Sequence, residues 1–208
     1  MAGVNVYHSP VQMPLQIIRK SSFTSVPWKN GGGITHEAVR VPEGDEPFRW
    51  RVSIAHIEAS GPFSDFSGYL RTMVLLRGTG VTLKFNAGAS RELRSVGELV
   101  EFDGAGQTYC ELLDGPCVDL NLMAATSIAV EARVTRLDAG IAVAAARDHS
   151  TVIFGIDDPL LLESDAGESI TLEPWDLAVI RGSGARLNRV ASGNIPTVGS
   201  VFIATLNE

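Results

Sequence analysis

The sequence predicts an all-β fold made of two packed, barrel- or sandwich-like halves, and three observations carry that prediction. Apolar and polar residues alternate with period two in one short stretch after another. Clusters of Gly, Pro, Asn and Asp punctuate those stretches. A shift of 79 positions lays one part of the chain over a later part, turn over turn.

The clearest strand is 48–55, where Phe48, Trp50, Val52 and Ile54 alternate with Arg49, Arg51, Ser53 and Ala55. Further strand-like runs are 70–77, 81–85, 98–102, 107–113 and 118–123, then 128–137, 151–156, 160–163, 177–181 and 200–206. Turn strings such as Gly78-Thr79-Gly80, Asp114-Gly115-Pro116 and Asp157-Asp158-Pro159 separate them. Only 140–147, short and alanine-rich, reads as helix. The shift of 79 places Arg71–Leu75 over Ser150–Phe154 and Asn86-Ala87-Gly88 over Asp165-Ala166-Gly167. It divides the chain into an N-terminal half, 1–124, and a C-terminal half, 125–208. Residues 27–66 have no polar counterpart in the second copy, so a functional site is expected in the first.

Composition narrows the functional classes. Hydrophobic residues make up 45% and charged residues 20%, the balance of a folded globular chain. A formal net charge of −7 argues against nucleic acid as a partner. Neither a signal peptide nor a membrane span is read from the hydropathy, so a cytoplasmic protein is expected, and a homodimer is left open. Cys110 and Cys117, with six residues between them, fit no zinc spacing and read as two reduced thiols.

The most unusual string is Pro27-Trp28-Lys29-Asn30-Gly31-Gly32-Gly33. Exposed N–H groups of Gly31 and Gly32 would form an anion-accepting concavity with Lys29 beside it and Asn30 as donor and acceptor. A flexible turn with a solvated lysine explains the string equally well. Along strand 48–55, Arg51 and Ser53 share one face, and Arg71 begins the next strong strand. If those residues point into a barrel, they grip a carboxylate, with Trp28 covering the apolar part. The competing account is internal pairing with Glu37, Asp65, Asp103 or Asp119. Asp119 and Asn121 form a second polar stripe that would line a pocket or anchor Arg51.

Catalytic and metal-binding chemistry find little support. The four histidines, His8, His36, His56 and His149, are scattered, and no His-x-His pair occurs. There is no nucleophile elbow of the Gly-x-Ser-x-Gly kind, so no catalytic residue, metal ligand or cofactor is assigned.

Read together, Pro27–Glu37, Trp50–Ala55, Gly61–Gly68, Arg71 and Gly78–Gly80 resemble the HutD/Ves family. The likeness is close in the N-terminal half and rests only on strand pattern in the other. His36 departs from the arginine usual before the glutamate, so no role is carried to it. The resemblance implies a bicupin, two cupin-like β-barrel or jelly-roll halves, and a ligand-binding governor of bacterial histidine utilisation. Its expected ligand is a small anionic metabolite such as urocanate or a formylglutamate-like intermediate, held by Trp28, Lys29, Asn30, Gly31, Gly32, Arg51, Ser53 and Arg71. The alternatives are a metal-independent isomerase or hydrolase on the same pathway, and a stress-related interaction protein without a ligand.

Overall fold

The computed structural model describes residues 15–28, 31–44, 47–143, 146, 148–190 and 199–208. The first half supplies β1 (Leu15–Ile18), β2 (Thr24–Pro27), β3 (Gly33–Val41), β4 (Trp50–Ile57), β5 (Gly61–Pro62) and β6 (Tyr69–Arg77). It continues with β7 (Val81–Lys84), β8 (Ser90–Leu93), β9 (Leu99–Asp103), β10 (Tyr109–Leu112) and β11 (Cys117–Ala125). The second half contains β12 (Ala129–Arg136), β13 (Ile141–Val143), β14 (His149–Gly155) and β15 (Leu160–Ser164). It ends with β16 (Ser169–Leu172), β17 (Leu177–Arg181), β18 (Ala185–Arg189) and β19 (Ser200–Asn207).

These strands make two large and two small antiparallel sheets, and the small ones repeat each other strand for strand. The order β5-β10-β7-β8 in the first half recurs as β13-β18-β15-β16 in the second. In the large sheets, β4-β11-β6-β9 recurs as β12-β19-β14-β17. The first large sheet is extended at one edge by β3 and β2. The second is extended by β1, which leaves its own half to pair along β17, Leu15 opposite Ile180 and Ile18 opposite Leu177. That strand covers a row of backbone groups that would otherwise be an open sheet edge.

Period two decides what each large sheet buries. Trp50, Val52, Ile54, Leu120 and Leu122 meet Phe154, Val179, Phe202 and Ala204 in one core that joins the halves back to back. The other face of the second sheet closes over Ile153, Leu162, Leu172, Ile180 and Leu187, an apolar interior. The corresponding interior of the first half is apolar at one end only, around Met73, Leu75, Leu83 and Cys110.

Two readings of the sequence are corrected. The expected helix over 140–147 is instead strand where it is described: Ile141–Val143 pairs with β18, and Val143 is buried. Cross-strand pairing and burial override the intrinsic preference of a short alanine-rich run. The shift of 79 holds for β7 and β15 but is out by one for β6 and β14. Met73 and Leu75 face the interior of the first half, whereas Val152 and Phe154 face the shared core. Face-matched pairing needs one more residue. It sets Thr151, not Ser150, at the position of Arg71, because the turn between Ile156 and Leu160 is one residue shorter than that between Leu76 and Val81. A slip of one residue exchanges the two faces of a strand.

Candidate functional site

The polar end of the first interior is an open cavity of about 490 Å³. Its back wall is a ladder of three cross-strand rows. Register places Arg40, Arg51, Met123 and Arg71 opposite one another across β3, β4, β11 and β6. The next row is Glu37, Ser53 and Asn121, and the third is Thr35, Ala55 and Asp119. Trp28, Phe63, Ser64 and Phe66 close the sides. Arg51 and Ser53 thus face inward because Trp50, Val52 and Ile54 occupy the shared core on the opposite face.

Arg40 reaches this wall through a defect. A β-bulge between Glu37 and Val39 inserts Ala38, so the alternation changes phase within β3. Thr35 and Glu37 face the cavity, Ala38 and Val39 pack on the shared core, and Arg40 faces the cavity again. Simple period two from Glu37 puts Arg40 on the far side, which is why a strand-by-strand reading misses it. The two consecutive apolar residues Ala38-Val39 are the signal that marks the phase change.

The three guanidiniums are held on aromatic faces. Arg40 lies 4.9 Å and Arg51 5.1 Å from the centroid of the Phe48 ring. Arg51 also lies 5.2 Å from Phe66, while Arg71 sits 4.8 Å from Phe63 and 4.9 Å from Phe102. Such stacking fixes the planar groups without occupying their in-plane N–H donors. Arg51 Nη2 also approaches Met123 Sδ at 3.2 Å.

Two carboxyls share the cavity. Glu37 belongs chiefly to Arg40, whose Nη2 donates to Oε2 at 2.9 Å, whereas Arg51 Nη1 stands 3.7 Å from that oxygen. The second distance is beyond hydrogen-bonding range. Asp119 is 1% exposed, and neither of its oxygens meets a hydrogen-bond donor in good geometry. Burial pushes its carboxyl up to about 7, with Arg71 opposing the shift. Burial also lowers Arg71 to about 10, and Asp119 opposes that shift in turn. For both groups, desolvation is the largest cause of the shift.

Of the residues singled out in the sequence, Trp28, Arg51, Ser53 and Arg71 meet at this cavity. Lys29 and Asn30 lie outside the described residues. Gly31 and Gly32 are not among the residues that line the cavity. The Gly31 N–H donates to the Trp28 carbonyl in a turn, Gly31 having φ +71°. The Gly32 carbonyl accepts from Glu58 and Ala59. The glycine with a steric role is Gly33: a Cβ there would lie 2.3 Å from the His56 carbonyl oxygen and 3.1 Å from the Trp28 ring. Its absence lets that indole fold back, where Nε1 donates to Thr35 Oγ1 at 2.8 Å and the ring meets Phe63 edge-on.

A cupin-type barrel raises the question of a metal, and the side chains facing this cavity do not fit one. His36 and His56 meet edge to face, centroids 4.9 Å apart, and neither lines the cavity. Among the described residues no group of three His, Cys, Asp or Glu side chains is placed to hold an ion.

Comparison with known proteins adds a lineage to this geometry. A model of the HutD family matches residues 20–195. An uncharacterized 21.2 kDa protein in the hutC 3′ region of Pseudomonas putida is 44% identical over 110 residues, 52% of this chain and 57% of that one. The matched segment spans about half the length of that relative. A conserved protein of unknown function from Pseudomonas aeruginosa PAO1 superposes with a TM-score of 0.84 at 28% identity, over 93% of this chain and 99% of that one. HutD from Pseudomonas fluorescens SBW25, in a formate condition, gives 0.73 at 27% identity, over 92% and 97%. Oxalate decarboxylase from Bacillus subtilis gives 0.63 at 10% identity, over 92% and 77%. That last likeness shows the fold alone, a bicupin of two jelly-roll halves.

Proposed function

Since the chain belongs to the HutD family, we propose that it is a non-catalytic receptor for a small carboxylate metabolite of histidine breakdown, through which it modulates histidine utilisation. One observation carries the reading. Three guanidiniums, those of Arg40, Arg51 and Arg71, stand in a single row on the wall of an open cavity. A cluster of this kind suits a ligand that brings its own negative charge, since planar guanidiniums grip both carboxylate oxygens at once. Trp28, Phe63 and Phe66 offer apolar faces to the rest of the molecule. Urocanate, a carboxylate joined to a flat imidazole, and formylglutamate, with two carboxylates, are the ligands to test. The same reading puts the protein in the cytoplasm with those metabolites. A ligand would act on the pathway by binding one conformation better than another.

A second reading has its own support. A buried carboxyl whose proton is poised near neutrality, as at Asp119, is also a feature of acid–base enzymes. Titration calorimetry with urocanate, formylglutamate and formiminoglutamate, followed by product analysis of the same mixtures, separates the two. Binding without product supports the receptor, turnover without added metal supports the enzyme, and neither outcome leaves an interaction protein.

A further inference from the structure

The cavity wall changes character along its length. In the arginine row the unmet groups are donors: Arg71 is 5% exposed, and its Nε–H finds no acceptor among the described residues. In the next two rows the unmet groups are acceptors. Asn121, 4% exposed, and Asp119, 1% exposed, both line the cavity. Among the described residues, no donor meets Asn121 Oδ1 or either Asp119 oxygen in hydrogen-bonding geometry.

The side chains beside them across the strands do not repair this. Asn121 lies opposite Ser53, with Glu37 beyond, and Asp119 lies opposite Ala55, with Thr35 beyond. Thr35 Oγ1 is engaged as the acceptor of the Trp28 indole N–H. Burial raises the Asp119 carboxyl to about 7, against weaker opposition from Arg71, the Asn121 amide and its own backbone N–H. Buried acceptors that have lost water without gaining a donor are costly, and folded chains keep few of them.

Successive rows are about 7 Å apart along a strand, a short step for a small metabolite. A ligand held by its carboxylate at the arginine row therefore extends over Asn121 and Asp119. An N–H on that part of the ligand supplies the missing donor. A ligand without one leaves the oxygens as they were and loses the bond.

We propose that Asn121 and Asp119 form an N–H-reading subsite next to the arginine row, so that the cavity selects carboxylates that also carry an imidazole, formimino or amide N–H. This rests on the carboxylate-binding reading and names its substrate class. Charge attraction at the arginines accepts any small carboxylate; the acceptor rows sort among them, because rejection is strongest where a buried polar group is left unpaired.

The experiment is titration calorimetry of the full chain at pH 8 with two matched pairs. Urocanate is compared with furylacrylate, whose flat ring carries an oxygen and no N–H. Formylglutamate is compared with the formyl ester of hydroxyglutarate, in which oxygen replaces the N–H. Imidazole is largely neutral at this pH, so ring charge does not separate the first pair. In each pair that binds, the N–H member should bind at least about fivefold, and up to about 100-fold, more tightly. Asn121→Leu keeps the branching of the side chain without its polar atoms. It should shrink that gap at least threefold while the affinity of the N–H-free member stays within threefold. Asn121→Ala, a smaller change, makes the same test if leucine does not fold. A wild-type gap below fivefold, or one that survives the substitution, overturns the subsite and leaves the carboxylate reading standing. Failure of all four compounds to bind defeats the carboxylate reading, and this inference with it.

Discussion

Arg51→Met isolates the guanidinium at the centre of the cationic row. Methionine keeps an unbranched apolar stem of similar reach, so the contacts with Phe48 and Phe66 are preserved in large part. Glu37 keeps its 2.9 Å bond to Arg40. The stability change should therefore stay within about 1 kcal/mol, the range of a substitution that opens no cavity. Binding should respond differently. A charge-assisted hydrogen bond contributes about 1.5–3 kcal/mol net, which at about 1.4 kcal/mol per decade raises Kd roughly 10- to 150-fold. Calorimetry with formylglutamate or urocanate measures the change, and urea unfolding confirms that the fold persists. A variant that unfolds like the wild type and binds within about threefold of it would remove Arg51 from the site.

Other perturbations test neighbouring parts of the reasoning. Glu37→Gln removes negative charge from the wall. Unit charges about 8 Å apart interact by roughly 2 kcal/mol at an effective dielectric of 20, so carboxylate affinity should rise by up to about 30-fold; a loss of affinity would show that Glu37 contacts the ligand favourably. Gly33→Ala forces a methyl against the His56 carbonyl and the Trp28 ring. Overpacking of that kind costs about 1–3 kcal/mol, and it should appear as a lower urea midpoint with altered tryptophan fluorescence; a wild-type midpoint would contradict the close approach. Stability against pH reports Asp119. Its folded value, about 7, lies above the ordinary 3.8, so its proton favours the native state below about pH 4, and that contribution is lost as pH rises towards 7. Wild-type stability should thus fall across that window relative to Asp119→Asn, and parallel profiles would show that the carboxyl is not so buried.

Much of this architecture is written locally. Alternation in 48–55 put Arg51 and Ser53 on one face of a strand, because a strand has no other geometry for them. The recurrence of turns disclosed two related halves, and the concentration of polar strings before residue 66 pointed to the first as the half with a site. Strands β3, β8 and β18 were harder to see, the first because its bulge breaks the alternation and the others because they are polar.

What alternation does not contain is phase, register and partner. Period two says which residues travel together, yet packing of the two large sheets chose the Trp50 side for the core and so turned Arg51 into the cavity. The bulge at Ala38 placed Arg40 in line with Arg51, and long-range pairing through β11 placed Arg71 in the same row. Only that assembly removes Asp119 from water, because desolvation is a property of everything packed around a group and not of its sequence neighbours. The side chains were legible one by one; the row they form is a consequence of strands distant in sequence lying side by side.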